Sequence, residues 1–345
     1  MKKFIFSICF ILLIFSCSKK EEIANANNKI EVIDYSERLV TLDKPAEKII
    51  VMADNAFMIV KQLDAIDKVV ALDSKTKGYW DLYLVSNTNP ELQTLPDVGK
   101  TKNPNYEEII SLDADLILFK GNKDVCDTMQ RKTGIPVVSI ISKAGYDFEI
   151  YNLIGKVLGK EKEASIVIDE LKSQKEKLET LLSEIPENEK KSAYIVVQNS
   201  NKNLFKTQKT ASSLELASVL NVASDASNVN EWGFAEISEE EFLNWNPNLI
   251  FLDQPIGENA ITKELLYSNS SYKFCNAVQN KQIYHTYSFS VPKDYVIVIA
   301  EAYYYANIAY PNLLSEEVYE KVINSIFEKT YNLENYYEEW TKEHN

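Results

Sequence analysis

Short, continuously apolar runs recur along the chain, each followed by a polar patch and then by a segment with helical spacing. Runs at 49–52, 68–71, 116–119 and 136–140, and again at 193–197, 249–252 and 282–285, read as parallel strands covered on both faces. Between them, 56–63, 106–112, 146–158 and 212–220 carry the apolar spacing of helices. Alternating strand and helix predicts α/β units. The segment 161–183 stands apart, because it holds neither Gly nor Pro and is dense in Glu and Lys. Its Ala164, Val167, Ile168, Leu171, Leu178, Leu181 and Leu182 fall on one helical stripe. At 1.5 Å per residue it makes a rod of ~35 Å, about a domain diameter, closed by Pro186. The simplest arrangement is two Rossmann-like α/β lobes with mainly parallel sheets, joined by this single long helix. A peripheral helix within one domain is the alternative.

An internal repeat supports two lobes. Glu107-Glu108-Ile109-Ile110-Ser111-Leu112-Asp113-Ala114-Asp115-Leu116-Ile117 parallels Glu240-Glu241-Phe242-Leu243-Asn244-Trp245-Asn246-Pro247-Asn248-Leu249-Ile250 at a constant offset of 133 residues. Both segments read as helix, tight turn and buried strand. Asn105 with Glu108, and Ser238 with Glu241, have the spacing of an N-cap and its third helical residue. Glu107 and Glu240 therefore take equivalent places in the first turns.

Composition narrows the chemistry. The 345 residues carry 37 Lys and Arg against 51 Asp and Glu, a formal charge of −14. That balance argues against a nucleic-acid partner, which draws on clustered cations. The nine glycines form no GxGxxG, GxxxxGK[ST] or GxSxG, which removes the usual signals of dinucleotide sites, P-loops and nucleophile elbows. Two histidines, one of them penultimate, leave little for a His-rich metal site or a His-based triad. No catalytic residue and no permanent cofactor is expected.

The N-terminus starts Lys2-Lys3, runs apolar over 4–15 and continues Ser16-Cys17-Ser18-Lys19. This is the pattern of an export signal, and it is too short to span a membrane as a helix. Ile14-Phe15-Ser16-Cys17 resembles a bacterial lipobox, which implies lipidation of Cys17; an ordinary signal peptide cut nearby is the alternative. The expected organisation is a signal peptide over 1–16, a lipidated tether over 17–34 and a first lobe over 35–160. A connecting helix over 161–185 and a second lobe with C-terminal helices over 186–345 complete it. Cys126 and Cys275, in different halves, are expected as buried free thiols, with a disulfide between them as the alternative.

The motifs together resemble the substrate-binding proteins of bacterial ABC importers, of the ferric-siderophore, haem and cobalamin type. The resemblance rests on Arg38-Leu39-Val40-Thr41-Leu42, Pro45-Ala46-Glu47-Lys48-Ile49-Ile50, Leu95-Pro96-Asp97-Val98-Gly99 and Asn103-Pro104-Asn105-Tyr106-Glu107. Ala114-Asp115-Leu116-Ile117-Leu118, Gly134-Ile135-Pro136-Val137-Val138, Ile237-Ser238-Glu239-Glu240, Asn246-Pro247-Asn248-Leu249-Ile250 and Tyr310-Pro311-Asn312-Leu313-Leu314 follow in order. It implies a ligand cleft between two lobes on one stiff helix, and a monomer exported and lipid-anchored to the cell membrane, facing the periplasm or exterior. It also implies that Glu107 and Glu240 dock onto Arg residues of a permease that works with an ATPase. Taken alone, each acid is better explained as a first-turn residue favoured by the helix dipole; the repeat and the motifs together favour docking.

Ligands of open α/β sheets gather beyond the carboxyl ends of the strands. Asn55, Tyr79, Trp80, Trp232 and Tyr287 fall in such loops and are the candidate ligand contacts, with packing inside a lobe as the competing role of each aromatic. Lys75, Lys77, Lys120 and Lys123 collect near the first mouth and would suit an anionic ferric chelate, although solvated lysines are the commoner explanation. His285 closes a strand, where a lone His is more often structural than a ligand. An iron chelate is the expected ligand, with haem, cobalamin, a nickel complex or an oxyanion behind it. A surface adhesin or enzyme on the same scaffold is the alternative of another class.

Overall fold

The computed structural model describes residues 29–141, 146–197, 203–230, 233–253, 261–287 and 294–342. In the first lobe four parallel strands lie side by side in the order Val69–Leu72, Ile49–Met52, Leu116–Phe119, Val137–Ser139. In the second the order is Leu220–Asn221, Ser192–Val196, Leu249–Asp253, Ile283–Thr286, again all parallel. Both sheets thus follow one plan, with the second strand in sequence at the edge, then the first, third and fourth. The central strands are buried along their length, Ser192 alone being half-buried, which is why they read as apolar runs.

Three elements depart from the sequence reading. A strand at Ile30–Ile33 pairs antiparallel with Leu39–Leu42, so part of the stretch 17–34 read as tether belongs to the folded body. Its partner is anchored by Arg38, which donates to the Asp34 carboxylate at 3.0 Å, the Asp127 carboxylate at 2.7 Å and the Val137 carbonyl at 2.8 Å. The helix expected over 212–220 stops at Leu216, because Ser218 turns left-handed and feeds the edge strand Leu220–Asn221. The helix expected from 146 begins at Glu149.

The long helix runs from Glu161 to Leu182, 22 residues or about 33 Å. Ala164, Val167, Ile168, Leu171, Leu178 and Leu182 are buried as the stripe requires, while Leu181 faces solvent. It crosses the helix Glu149–Leu158 closely at Gly155, where a Cβ would stand 2.8 Å from that of Ala164 and 3.0 Å from the Lys160 carbonyl oxygen. Cys126 and Cys275 are free and buried, and burial pushes the Cys126 thiol up to about 11.

The lobes also meet through buried polar groups. Gln62 Nε2 donates to Asp294 Oδ1 at 3.0 Å and to the Tyr331 hydroxyl at 2.8 Å, and its Oε1 accepts from Tyr151 at 2.7 Å. Tyr331 donates to the other Asp294 oxygen. Burial holds the Asp294 carboxyl above its ordinary value despite these donors.

On the long helix, buried Glu170 accepts from Lys329 at 2.6 Å, Gln174 at 2.7 Å and Ser325 at 3.0 Å, tying the connector to the helix Glu316–Tyr331. Burial works against the charged form, but the three donors outweigh it and the carboxyl sits below its ordinary value. A lowered acid contributes stability that is present above its unfolded value and lost as pH falls through the folded one. Glu170→Gln is therefore expected to lower the thermal midpoint at neutral pH, with the gap to wild type closing below about pH 4. An equal gap at both ends of a pH series would refute this role.

Candidate functional site

The crevice of an open α/β sheet opens where neighbouring strands send their connections to opposite sides. In the first lobe that point lies between Ile49–Met52 and Leu116–Phe119, and Asp54 and Lys120 sit just beyond their carboxyl ends. Met52 accepts the backbone N–H of Lys120 at 3.1 Å, which fixes the spacing of the two chain exits. The helix Asp54–Gln62 starts here after an extended Ala53, with no side-chain cap. Asp54 occupies the first turn, where the helix dipole favours a carboxylate.

Asp54 is only 2 % exposed, yet it draws two solvent-facing cations. Lys75 pairs with one carboxylate oxygen and Lys120 reaches the other at 3.5 Å, with side chains 51 % and 44 % exposed. Lys75 is presented by the short helix Ser74–Gly78, whose N-cap Asp73 accepts from the backbone of Lys75 at 2.8 Å and from the Thr76 hydroxyl at 2.8 Å. Burial, aided by Asp54, holds the Asp73 carboxyl above its ordinary value in spite of these donors. Two ammonium groups thus share one buried carboxylate at this mouth, with the Asp73 carboxyl close behind it. Buried Asn55 lies next to this pair, and its Oδ1 has no hydrogen-bond partner among the described residues.

Of the other residues singled out from the sequence, Tyr79 caps the end of the Lys75 helix at the surface. Trp80 lies inside the lobe at 4 % exposure, its ring centroid 6.0 Å from that of Phe57 on the Asp54 helix. Tyr287, in the second lobe, is half-buried and stacks on Trp340 at 6.0 Å with the rings 10° apart. Trp232 lies outside the described residues. His285 is half-buried within the last strand of the second sheet. Lys77 donates to the Gln93 carbonyl at 2.6 Å and to that of Leu95, away from Asp54, and Lys123 opens the helix Lys123–Thr133. The sequence reading missed Asp54, the group that organises the lysines. Its signal was an acid directly after a buried strand, at a helix start.

The two acids of the internal repeat are both exposed, on the helices Tyr106–Ser111 and Glu239–Trp245. Asn105 Oδ1 accepts from the Glu108 N–H at 3.2 Å. Ser238 and Glu241 form a full capping box, with Ser238 N donating to Glu241 Oε2 at 2.8 Å. The equivalence extends further than the caps. Ile109 and Phe242 are the buried members of each helix, and Asp113 and Asn246 make the same left-handed turn into the third strand.

Two parallel-sheet lobes on one connecting helix, with a charged mouth at a sheet crevice, define a bilobal ligand-binding protein. Residues 49–288 match the model of the periplasmic binding protein family, and the chain belongs to that family. It is similar to the uncharacterised ABC transporter substrate-binding lipoprotein YvrC of Bacillus subtilis, at 24 % identity over 76 % of this chain and 81 % of that one. It is similar also to the Fe(3+)-citrate-binding protein YfmC of the same organism, at 26 % over 54 % of this chain and 58 % of that one. The structure of the molybdate-binding protein MolA of Haemophilus influenzae, bound to molybdate, shares the fold with a TM-score of 0.69 at 19 % identity, over 88 % of this chain and 98 % of that one. No helix among the described residues is long and apolar enough to cross a membrane.

Proposed function

We propose that this chain is the substrate-binding lipoprotein of an ABC importer, and that it captures an anionic iron chelate between its lobes and delivers it to a membrane permease. The observation that carries the ligand class is the convergence of Lys75 and Lys120 on buried Asp54 at the first-lobe crevice. The carboxylate holds both ammonium groups in place before a ligand arrives, so their ordering cost is already met. An anion then gains charge-assisted hydrogen bonds from groups that are half in solvent. Asn55 beside them offers an amide to a polar edge of the ligand. A relative that binds ferric citrate supports an iron chelate. A small oxyanion is the second reading, favoured by the closeness of the two lysines and by the molybdate-binding relative, 21 % identical over 87 % of this chain. In either case Cys17 would carry the anchor and no permanent cofactor is needed.

The test is a thermal-shift and calorimetric titration with ferric citrate, other ferric chelates, haem, molybdate, nickel–histidine and cobalamin. A true ligand raises the midpoint as its concentration passes Kd. Saturable binding of an anionic iron chelate is the expected result. Lys75→Ala and Lys120→Ala should each weaken it by about 1.5–3 kcal/mol, roughly tenfold or more in Kd. Binding confined to cobalamin, or anion binding indifferent to both lysines, would sink the ligand assignment. Saturable binding of molybdate alone would move it to the oxyanion.

A further inference from the structure

The repeat that carries Glu107 and Glu240 carries a second matched feature. One turn after each acid stands an exposed apolar residue: Ile110 at 52 % and Leu243 at 37 %. They occupy the same place in the two lobes, because Ile109 and Phe242 before them are both buried and Asp113 and Asn246 after them both turn left-handed. Residues three apart share a helix face, so each helix shows an acid and an apolar side chain together. A single exposed Leu or Ile needs no explanation. The same acid–apolar pair, repeated at equivalent positions of two lobes, does. Each helix ends in a tight turn that reverses the chain into the leading end of its sheet's third strand, so both helices begin on the side where the strands end and the ligand mouth opens.

We infer that Ile110 and Leu243 are apolar anchors of the permease-docking surface, working beside Glu107 and Glu240. The inference rests on the proposed docking role of the two acids. The partner it fits has two equivalent halves, each offering a guanidinium next to an apolar seat, as a two-fold symmetric permease dimer would. The division of labour follows from ordinary interface physics. Rim charges guide approach and orientation and are screened by salt, while a desolvated apolar contact slows release and is insensitive to salt.

The test uses the full chain and the importer's permease–ATPase complex in lipid nanodiscs, with Kd measured at low and high salt. Ile110→Asn with Leu243→Asn should weaken docking at least tenfold with the salt slope unchanged, and Ile110→Leu should leave it intact. Glu107→Gln with Glu240→Gln should weaken docking and flatten the slope. All these side chains are exposed, so thermal midpoints should stay within a degree or two of wild type, which separates docking loss from misfolding. If the acid pair weakens docking while the Asn pair stays within twofold of wild type, the anchors are refuted and the docking role of the acids stands. If neither pair changes Kd, the docking reading itself fails and takes the anchors with it.

Discussion

Replacing Glu107 and Glu240 together by Arg is expected to abolish uptake in cells while the purified protein titrates its ligand with an unchanged Kd. Both acids stand in the first turns of solvent-facing helices that lead into the third strand of their sheets, and neither belongs to the Asp54–Lys75–Lys120 cluster. Under the proposed docking, charge reversal there would set cation against cation at the permease surface, and such juxtaposition costs several kcal/mol at an interface. The fold should tolerate the change. Each acid contributes through the helix dipole only ~0.3–1 kcal/mol, and the caps are made by other groups, Asn105 in one lobe and Ser238 with Glu241 in the other. A single Glu→Ala change is expected to act more weakly, because the other lobe still docks. Uptake of labelled chelate, measured beside calorimetric titration of the same variants, decides the matter. Normal uptake by the double Arg variant would reduce both acids to helix-start residues.

The parallel sheets were legible because burial on both faces leaves an unbroken apolar run: 49–52 and 116–119 match the observed strands residue for residue. The connecting helix was legible for a different reason, since 22 residues without a breaker have few alternatives. Short edge elements were not. Ile30–Ile33 buries only Val32, and Leu220–Asn221 buries neither residue, so both leave weak patterns and exist through their partners. The candidate site left only part of its make-up in the local sequence. Lysines near the first mouth could be named, but their meeting on Asp54 joins residues 21 and 66 positions apart, which no local pattern records. The same holds for Glu170 and Gln62, polar side chains buried by helices that arrive from the far end of the chain.

Trp80 shows how a loop aromatic can serve the core of its lobe rather than stand at a rim. In the sequence it sits in a polar stretch before Asp81, with nothing to separate a ligand platform from a core residue. In the structure its ring lies against Phe57, whose own ring meets Tyr83 edge-on at 6.0 Å, directly beneath the helix that opens with Asp54 and Asn55. Trp80→Ala is therefore expected to cost about 3–5 kcal/mol of stability, as other large-to-small changes of buried aromatics do. Trp80→Phe should recover most of that loss by refilling the space against Phe57. Affinity is expected to fall only as far as the Asp54 helix loosens, so the Phe variant should bind nearly as wild type. Chemical denaturation and ligand titration on both variants give the answer. An Ala variant of undiminished stability that loses ligand would instead make Trp80 a direct contact, and the first-lobe mouth would then have to reach inward past Tyr79 to that ring.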